Sequence, residues 1–162
     1  MKNLTDLFHH HLKDLYSAEK QLFEAMPNII KAATNPKLTK ELEKHQDQTK
    51  QHLDIITKLC DDMDVNPGNS KCKAMAGLIK EGEDISKVKA VDDVKDAGII
   101  AAMQRIEHYE ISGYGTARQY AETLGLKAAE KKLNRILKQE QKEDTRLNQL
   151  AIKTINKKAI QS

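Results

Sequence analysis

Residues 99–121 read IIAAMQRIEHYEISGYGTARQYA, and the fold turns on how this stretch is read. Ile100, Met103, Glu107, Glu110, Tyr114, Ala117 and Ala121 recur at steps of three and four, the period of one helix face. Most of that face is apolar and belongs against a core. Two of its positions are glutamates, and an ionised carboxylate buried without partners is costly. The stretch therefore predicts a long helix in a helical bundle, with neighbours that answer the two acids.

The same reading extends in both directions. The helix should open at Asp92 or Asp93, run to about Leu124 and end at Gly125. A further helix, about 127–157, follows with the seam Leu133, Leu137, Glu140, Asp144, Leu147 and Ala151. In the N-terminal half, a helix over about 4–33 carries the seam Phe8, Leu12, Leu15, Glu19, Leu22, Met26 and Ile29. Pro27 inside it should kink it. Asn35-Pro36 reads as a cap and a first-turn proline. It opens a helix over about 36–63 with the seam Leu42, His45, Thr49, His52, Ile56, Leu59 and Met63. Asn66-Pro67-Gly68-Asn69-Ser70 breaks the chain, a short helix covers about 71–83, and an irregular stretch reaches Val91. Short turns near 35 and 125 make two antiparallel hairpins joined by a connection of about 28 residues, the layout of a four-helix bundle with one long crossover.

Composition agrees. A chain of 162 residues is one ordinary domain with room for a core, spanning 1–162. Only 7 Gly and 3 Pro argue against a β-sandwich or a disordered linker protein. No run approaches the roughly 20 apolar residues of a membrane span. Lys+Arg 27 against Asp+Glu 24 leaves +3, too little to imply nucleic acid as a partner. Lys153, Lys157 and Lys158 read as a solvated helix end that complements the dipole. The N-terminus, MKNLTDLFHHHLKDLYSAE, lacks the apolar core of a signal peptide, so a cytoplasmic protein with reduced Cys60 and Cys72 is expected. His9, His10 and His11 are neighbours pointing about 100° apart on a helix, and read as surface. No Gly-rich phosphate loop, G-x-S-x-G or CxxC occurs.

The informative positions are the polar ones on the seams. Counting from the turns puts Glu19 level with Gln48 and His52, and Glu107 and Glu110 level with positions 143 and 140. His45 lies a heptad from His52, about 10.5 Å along the axis, too far for both to hold one ion. Di-iron bundles carry one Glu from each of two helices and Glu-x-x-His from each of the others. Glu19 and Glu107 suit the single-Glu helices. Helix 127–157 offers Glu140 with Glu143 or Asp144, without His, and helix 36–63 offers Gln48 with His52, without Glu. Two readings stand side by side: a two-metal site, or a polar core in which Arg105, Lys142 and Arg146 pair with the acids. Tyr16, Tyr109 and Tyr114 read equally as hydrogen-bond partners of ligating carboxylates and as packing residues of amphipathic helices. Gly113 and Gly115, beside Glu110, read as sites of tight helix packing. Cys72 reads as a packed thiol.

The strings DLYSAEKQL (14–22), KCKAMAGLI (71–79) and EHYEISGYGT (107–116) resemble the YciE/YciF family of bacterial ferritin-like proteins. The resemblance spans nearly the whole chain. It implies an all-α, ferritin-like (rubrerythrin-like) four-helix bundle, a cytoplasmic homodimer linked to stress responses, and a core site for two iron ions or other divalent metals. The positions it implicates are Glu19, the stretch around His45 and Gln48, Glu107, Glu110, Glu140 and Asp144. Gln48 stands where the resemblance leads one to expect Glu, and His52 offers a replacement ligand. The opposing expectation is a metal-free dimeric interaction module with a salt-bridged core.

Overall fold

The computed structural model describes residues 1–68 and 70–161, so Asn69 in the predicted break lies outside the described residues. Its helices are α1 (Leu4–Ala32), α2 (Pro36–Asp62), α3 (Lys73–Lys87), α4 (Asp92–Thr123) and α5 (Lys127–Leu150). A π-helical turn, Ala151–Ile155, and α6 (Asn156–Ala159) continue the last helix. No strand occurs among the described residues. The protein is an all-α, ferritin-like four-helix bundle of α1, α2, α4 and α5, with α3 on the long crossover.

Local chemistry sets the ends. Asn3 Oδ1 accepts from the Asp6 N–H and caps α1. Asn35 Oδ1 accepts from the Lys37 N–H, and Pro36 occupies the first turn of α2. α4 ends in a left-handed Gly125 (φ 72°), with Leu126 N–H bonded to Ala121 O and Gly125 N–H to Glu122 O, which satisfies two end carbonyls. α1 runs on through Pro27. The short helix departs from expectation. It begins at Lys73, with Cys72 Sγ accepting from Met75 N–H, and continues to Lys87 because Ile85 packs against the core.

α1 packs on α2 and α4, α5 packs on α4 and α2, and α3 lies across α1 and α4. The core is split in two along the bundle. One apolar cluster joins Leu22, Met26, Leu38, Leu42, Ile99, Met103 and Leu147. The other joins Phe8, Leu12, Ile56, Leu59, Ala117, Leu133 and Ile136. Along each bundle helix, buried polar residues fall between the two clusters: Glu19, then His45, Thr49 and His52, then Glu107 and Glu110, then Glu140 and Glu143. No described helix is long and apolar enough to cross a membrane.

Candidate metal centre

The layer arises from helical phase. Glu107 and Glu110 are three residues apart, as are Glu140 and Glu143, so each pair projects from one face. His45, Thr49 and His52 step by four and three along α2. Antiparallel pairing brings these faces and Glu19 to one depth, and all eight residues are at most 3 % exposed.

Within the layer the ligating atoms form two groups. Glu19, His52 and Glu140 offer atoms within 4.8 Å of one another, and so do His45, Glu107 and Glu110. His52 Nδ1 is 2.8 Å from Glu140 Oε1 and 3.5 Å from Glu19 Oε1. Its other nitrogen, Nε2, is 3.2 Å from Gln139 Oε1. With Nε2 donating to Gln139, Nδ1 of the charged ring donates to the two carboxylates, and loss of that proton would leave on Nδ1 the lone pair a ligand requires. Tyr114 donates its hydroxyl to Glu19 Oε1. His45 Nδ1 is 3.0 Å from Glu107 Oε1.

Hydrogen bonding is far from complete. Glu19 Oε2, His45 Nε2, Thr49 Oγ1, Glu107 Oε2, both oxygens of Glu110 and Glu143 Oε1 are buried without a hydrogen-bond partner. Buried polar atoms are ordinarily satisfied, so this concentration in one layer requires explanation. Burial, and then the nearby Glu19, Glu140 and Glu107 carboxylates, hold Glu110 well above the usual carboxylate range. Burial pushes Glu107 up to about 8 against the pull of His45, and burial likewise raises Glu19 despite His52. Burial also opposes ionisation of Glu140, but His52 outweighs it and leaves Glu140 below its ordinary value. Burial opposes charging of the histidines too. Glu107 overrides it at His45, pushed up to about 9, and Glu140 and Glu19 override it at His52, pushed up to about 10.

The structure sorts the expected residues. It brings Glu19, His52, Glu107, Glu110 and Glu140 together, along with His45 and Glu143. It does not bring in Gln48 or Asp144. Gln48 sits one position off the α2 seam and is half-buried, while Thr49 turns inward at that level. Asp144 is rotated off the α5 seam and lies 3.4 Å from His108 Nε2 and 3.1 Å from Gln104 Nε2 on the flank of α4. In both cases the inward face runs through the neighbouring residue, Thr49 between His45 and His52 on α2 and Glu143 between Glu140 and Leu147 on α5, and adjacent positions point about 100° away. Tyr109 donates to Asp14 and lies 2.9 Å from Cys72 Sγ, so its hydroxyl turns away from the carboxylates, whereas Tyr114 turns toward them. Tyr16 is half-buried against the second apolar cluster. Of the cations expected to neutralise the acids, Arg146 reaches Glu143 while Arg105 pairs with Glu81 outside the layer. A Cβ on Gly113 would lie 2.9 Å from Leu15 Cδ2, which is tight packing, but one on Gly115 would meet nothing within 4 Å.

One buried acid went unnoticed in the seam reading. Asp96 accepts from Thr34 N–H (2.9 Å), Thr34 Oγ1 (2.8 Å) and Asn35 N–H (2.8 Å). It clamps the α1–α2 turn to α4, and its place among apolar residues near the start of α4 was the available signal.

The donor chemistry fits divalent cations. Two Glu-only helices and two Glu-x-x-His helices amount to four glutamates and two histidines. Glu19, Glu107, Glu110, Glu140, His45 and His52 make the same set, dealt differently: both histidines come from α2 and two glutamates from α4. Carboxylate and imidazole suit iron, manganese and zinc. Residues 3–160 match the model of a domain of unknown function, DUF892. Protein YciF of Escherichia coli (strain K12) is 39% identical over 160 residues, which cover 98% of this chain and 96% of that protein. The crystal structure of the E. coli stress protein YciF superposes with a TM-score of 0.92, covering 97% of this chain and 99% of that one. YcfI of Rhodopseudomonas palustris, described as a candidate structural protein, superposes at 0.86 with 36% identity, covering 91% and 94%. With a family model matching residues 3–160 and a relative 39% identical along nearly the whole chain, the chain belongs to the DUF892 family and is similar throughout to the E. coli stress protein YciF.

Proposed function

We propose that the chain is a stress-response protein that binds two divalent cations, iron foremost, in the polar layer of its bundle. The observation that carries this reading is the set of carboxylate and imidazole atoms buried without hydrogen-bond partners between two apolar clusters. Glu19, His52 and Glu140 hold one cation, His45, Glu107 and Glu110 the other, and Glu140 lies close enough to act electrostatically on both groups. A two-metal centre of this kind supplies Lewis-acid and redox chemistry toward small oxygen species. The chain's own residues orient it: Gln139 sets the His52 tautomer and Tyr114 holds Glu19. We extend to this chain the homodimeric state and cytoplasmic location expected of its family.

The test is metal per chain in protein without a histidine tag, loaded anaerobically with Fe(II). About two ions per chain are expected, as for two-metal sites. No retained iron, and no change on Glu19→Ala or Glu140→Ala, sinks the reading.

A second reading draws on the ion pairs His45–Glu107, His52–Glu140 and Arg146–Glu143, which neutralise part of the layer from within. It makes the chain a metal-free interaction module. On that reading Glu140→Leu strands the charged His52 and lowers the melting temperature, and chelator changes nothing. On the metal reading chelator lowers the wild-type melting temperature by removing ligand stabilisation, and Glu140→Leu abolishes that effect.

A further inference from the structure

The apolar clusters close the polar layer along the bundle, but on the α2–α5 side one of its carboxylates leads outward. Glu143 is 1 % exposed at its side chain, accepts from Arg146 Nη2, and lies 3.8 Å from Lys44 Nζ. Glu41, 22 % exposed, meets the same two cations, at 3.1 Å from Lys44 Nζ and 2.6 Å from Arg146 Nε. Two carboxylates on facing helices, one buried and one reaching water, thus share two cations. His45 stands one turn beyond Glu41 on α2 and feels the charge of Glu143. Two other contacts of the layer are neutral: Gln139 at His52, and Tyr114, itself buried in the core, at Glu19.

We propose that Glu41 and Glu143 form the mouth through which divalent cations reach the layer, with Arg146 as the resident cation that holds it closed. The inference rests on the metal-binding reading and adds its route and control. A carboxylate as deeply buried as Glu143 requires a cation beside it, and Arg146 meets that need with a group that never loses its charge. Its side chain is 34 % exposed on a long stem, so the guanidinium can swing into water without crossing the core. Glu41 and Glu143 then present oxygens to a hydrated dication, for which they are preferred ligands. Lys44, already touching both acids, rebalances the charge as Arg146 leaves. A cation meeting the neutral Gln139 gains no comparable attraction.

The experiment follows Co(II) uptake by the full chain in stopped flow, with the end-point metal per chain measured separately. Arg146→Gln is expected to speed uptake about tenfold and Glu41→Gln to slow it about tenfold, within the range of electrostatic effects on association. Both differences shrink as salt is raised. Arg146→Lys, which keeps a charge, restores the wild-type rate, and end-point metal stays unchanged in every variant. Unchanged rates in both neutral variants overturn the proposal, as does a loss of end-point metal, which would make the pair ligands or structural props. Should Arg146→Gln fail to fold, Glu41→Gln decides alone. Failure of the wild-type chain to bind cobalt overturns the metal reading and the mouth with it. Normal binding with unaltered rates overturns the mouth only.

Discussion

Asp96 and Glu110 lie on the same helix, both almost wholly buried, and their surroundings are opposite. Asp96 accepts three hydrogen bonds from the turn between α1 and α2. Glu110 accepts none among the described residues, and the charges that act on it most are those of other carboxylates. Burial of an acid is therefore no sign of a metal site in itself. The supply of donors around it separates the two cases. Asp96 is a structural clamp, because its oxygens are used up in joining two elements. Glu110 belongs to a layer that has acids in excess and donors in deficit, which is the composition a cation corrects.

The sharpest way to break this comparison is to remove the clamp. Asp96→Ala strands the buried Asn35 amide and the partly buried Thr34 amide, and should cost about 3 kcal/mol. For a chain of this length that is roughly a 10 °C fall in melting temperature, read by circular dichroism. Glu110→Leu should move the metal-free chain the other way, stabilising it by about 1–3 kcal/mol as an apolar residue replaces an unpartnered acid. It should also lower the metal bound per chain. A destabilisation as large as that of Asp96→Ala would show that Glu110 is satisfied after all.

The pH profile sharpens the contrast further. His45 and His52 are raised from 6.5 to about 9 and about 10, so their stabilisation is complete below 6.5 and is lost as pH climbs through those values. Glu107 is raised from 4.5 to about 8, so its protonated form also favours folding at low pH and that benefit is gone above about 8. The melting temperature of the metal-free chain should therefore fall by several degrees from pH 7 to pH 10. Metal loading should flatten the fall, since ligands bind deprotonated. A metal-free chain that grows more stable toward pH 10 would contradict the charge assignment. The smallest effect belongs to Asp144→Asn. Asp144 lies off the seam beside an exposed His108, so the change should cost less than about 1 kcal/mol and leave bound metal unaltered.

Much of this was legible from periodicity. The steps of three and four in residues 99–121 placed Glu107, Glu110 and Tyr114 inside, and the same rule placed Glu19, His45 and His52. On α5 it slipped by one position, taking Asp144 where Glu143 faces inward, and a single step rotates a side chain by about 100°. On α2 it put Thr49 on the seam, where the structure has it; Gln48, one position off, entered on chemical grounds and by family resemblance. Asp96 escaped notice because its partners are backbone amides of a distant turn, which no residue pattern reveals.

The sequence by itself determined the bundle, its two hairpins, the glycine stop at 125 and the presence of acids on apolar faces. These depend on local dihedral preference and helical period, both of which are properties of short stretches. Tertiary structure decided which acids share a layer, that Glu143 rather than Asp144 enters it, and that Arg146 joins Glu143 while Arg105 does not. Those outcomes depend on the rotation and depth of each helix against its neighbours, which only the assembled core sets.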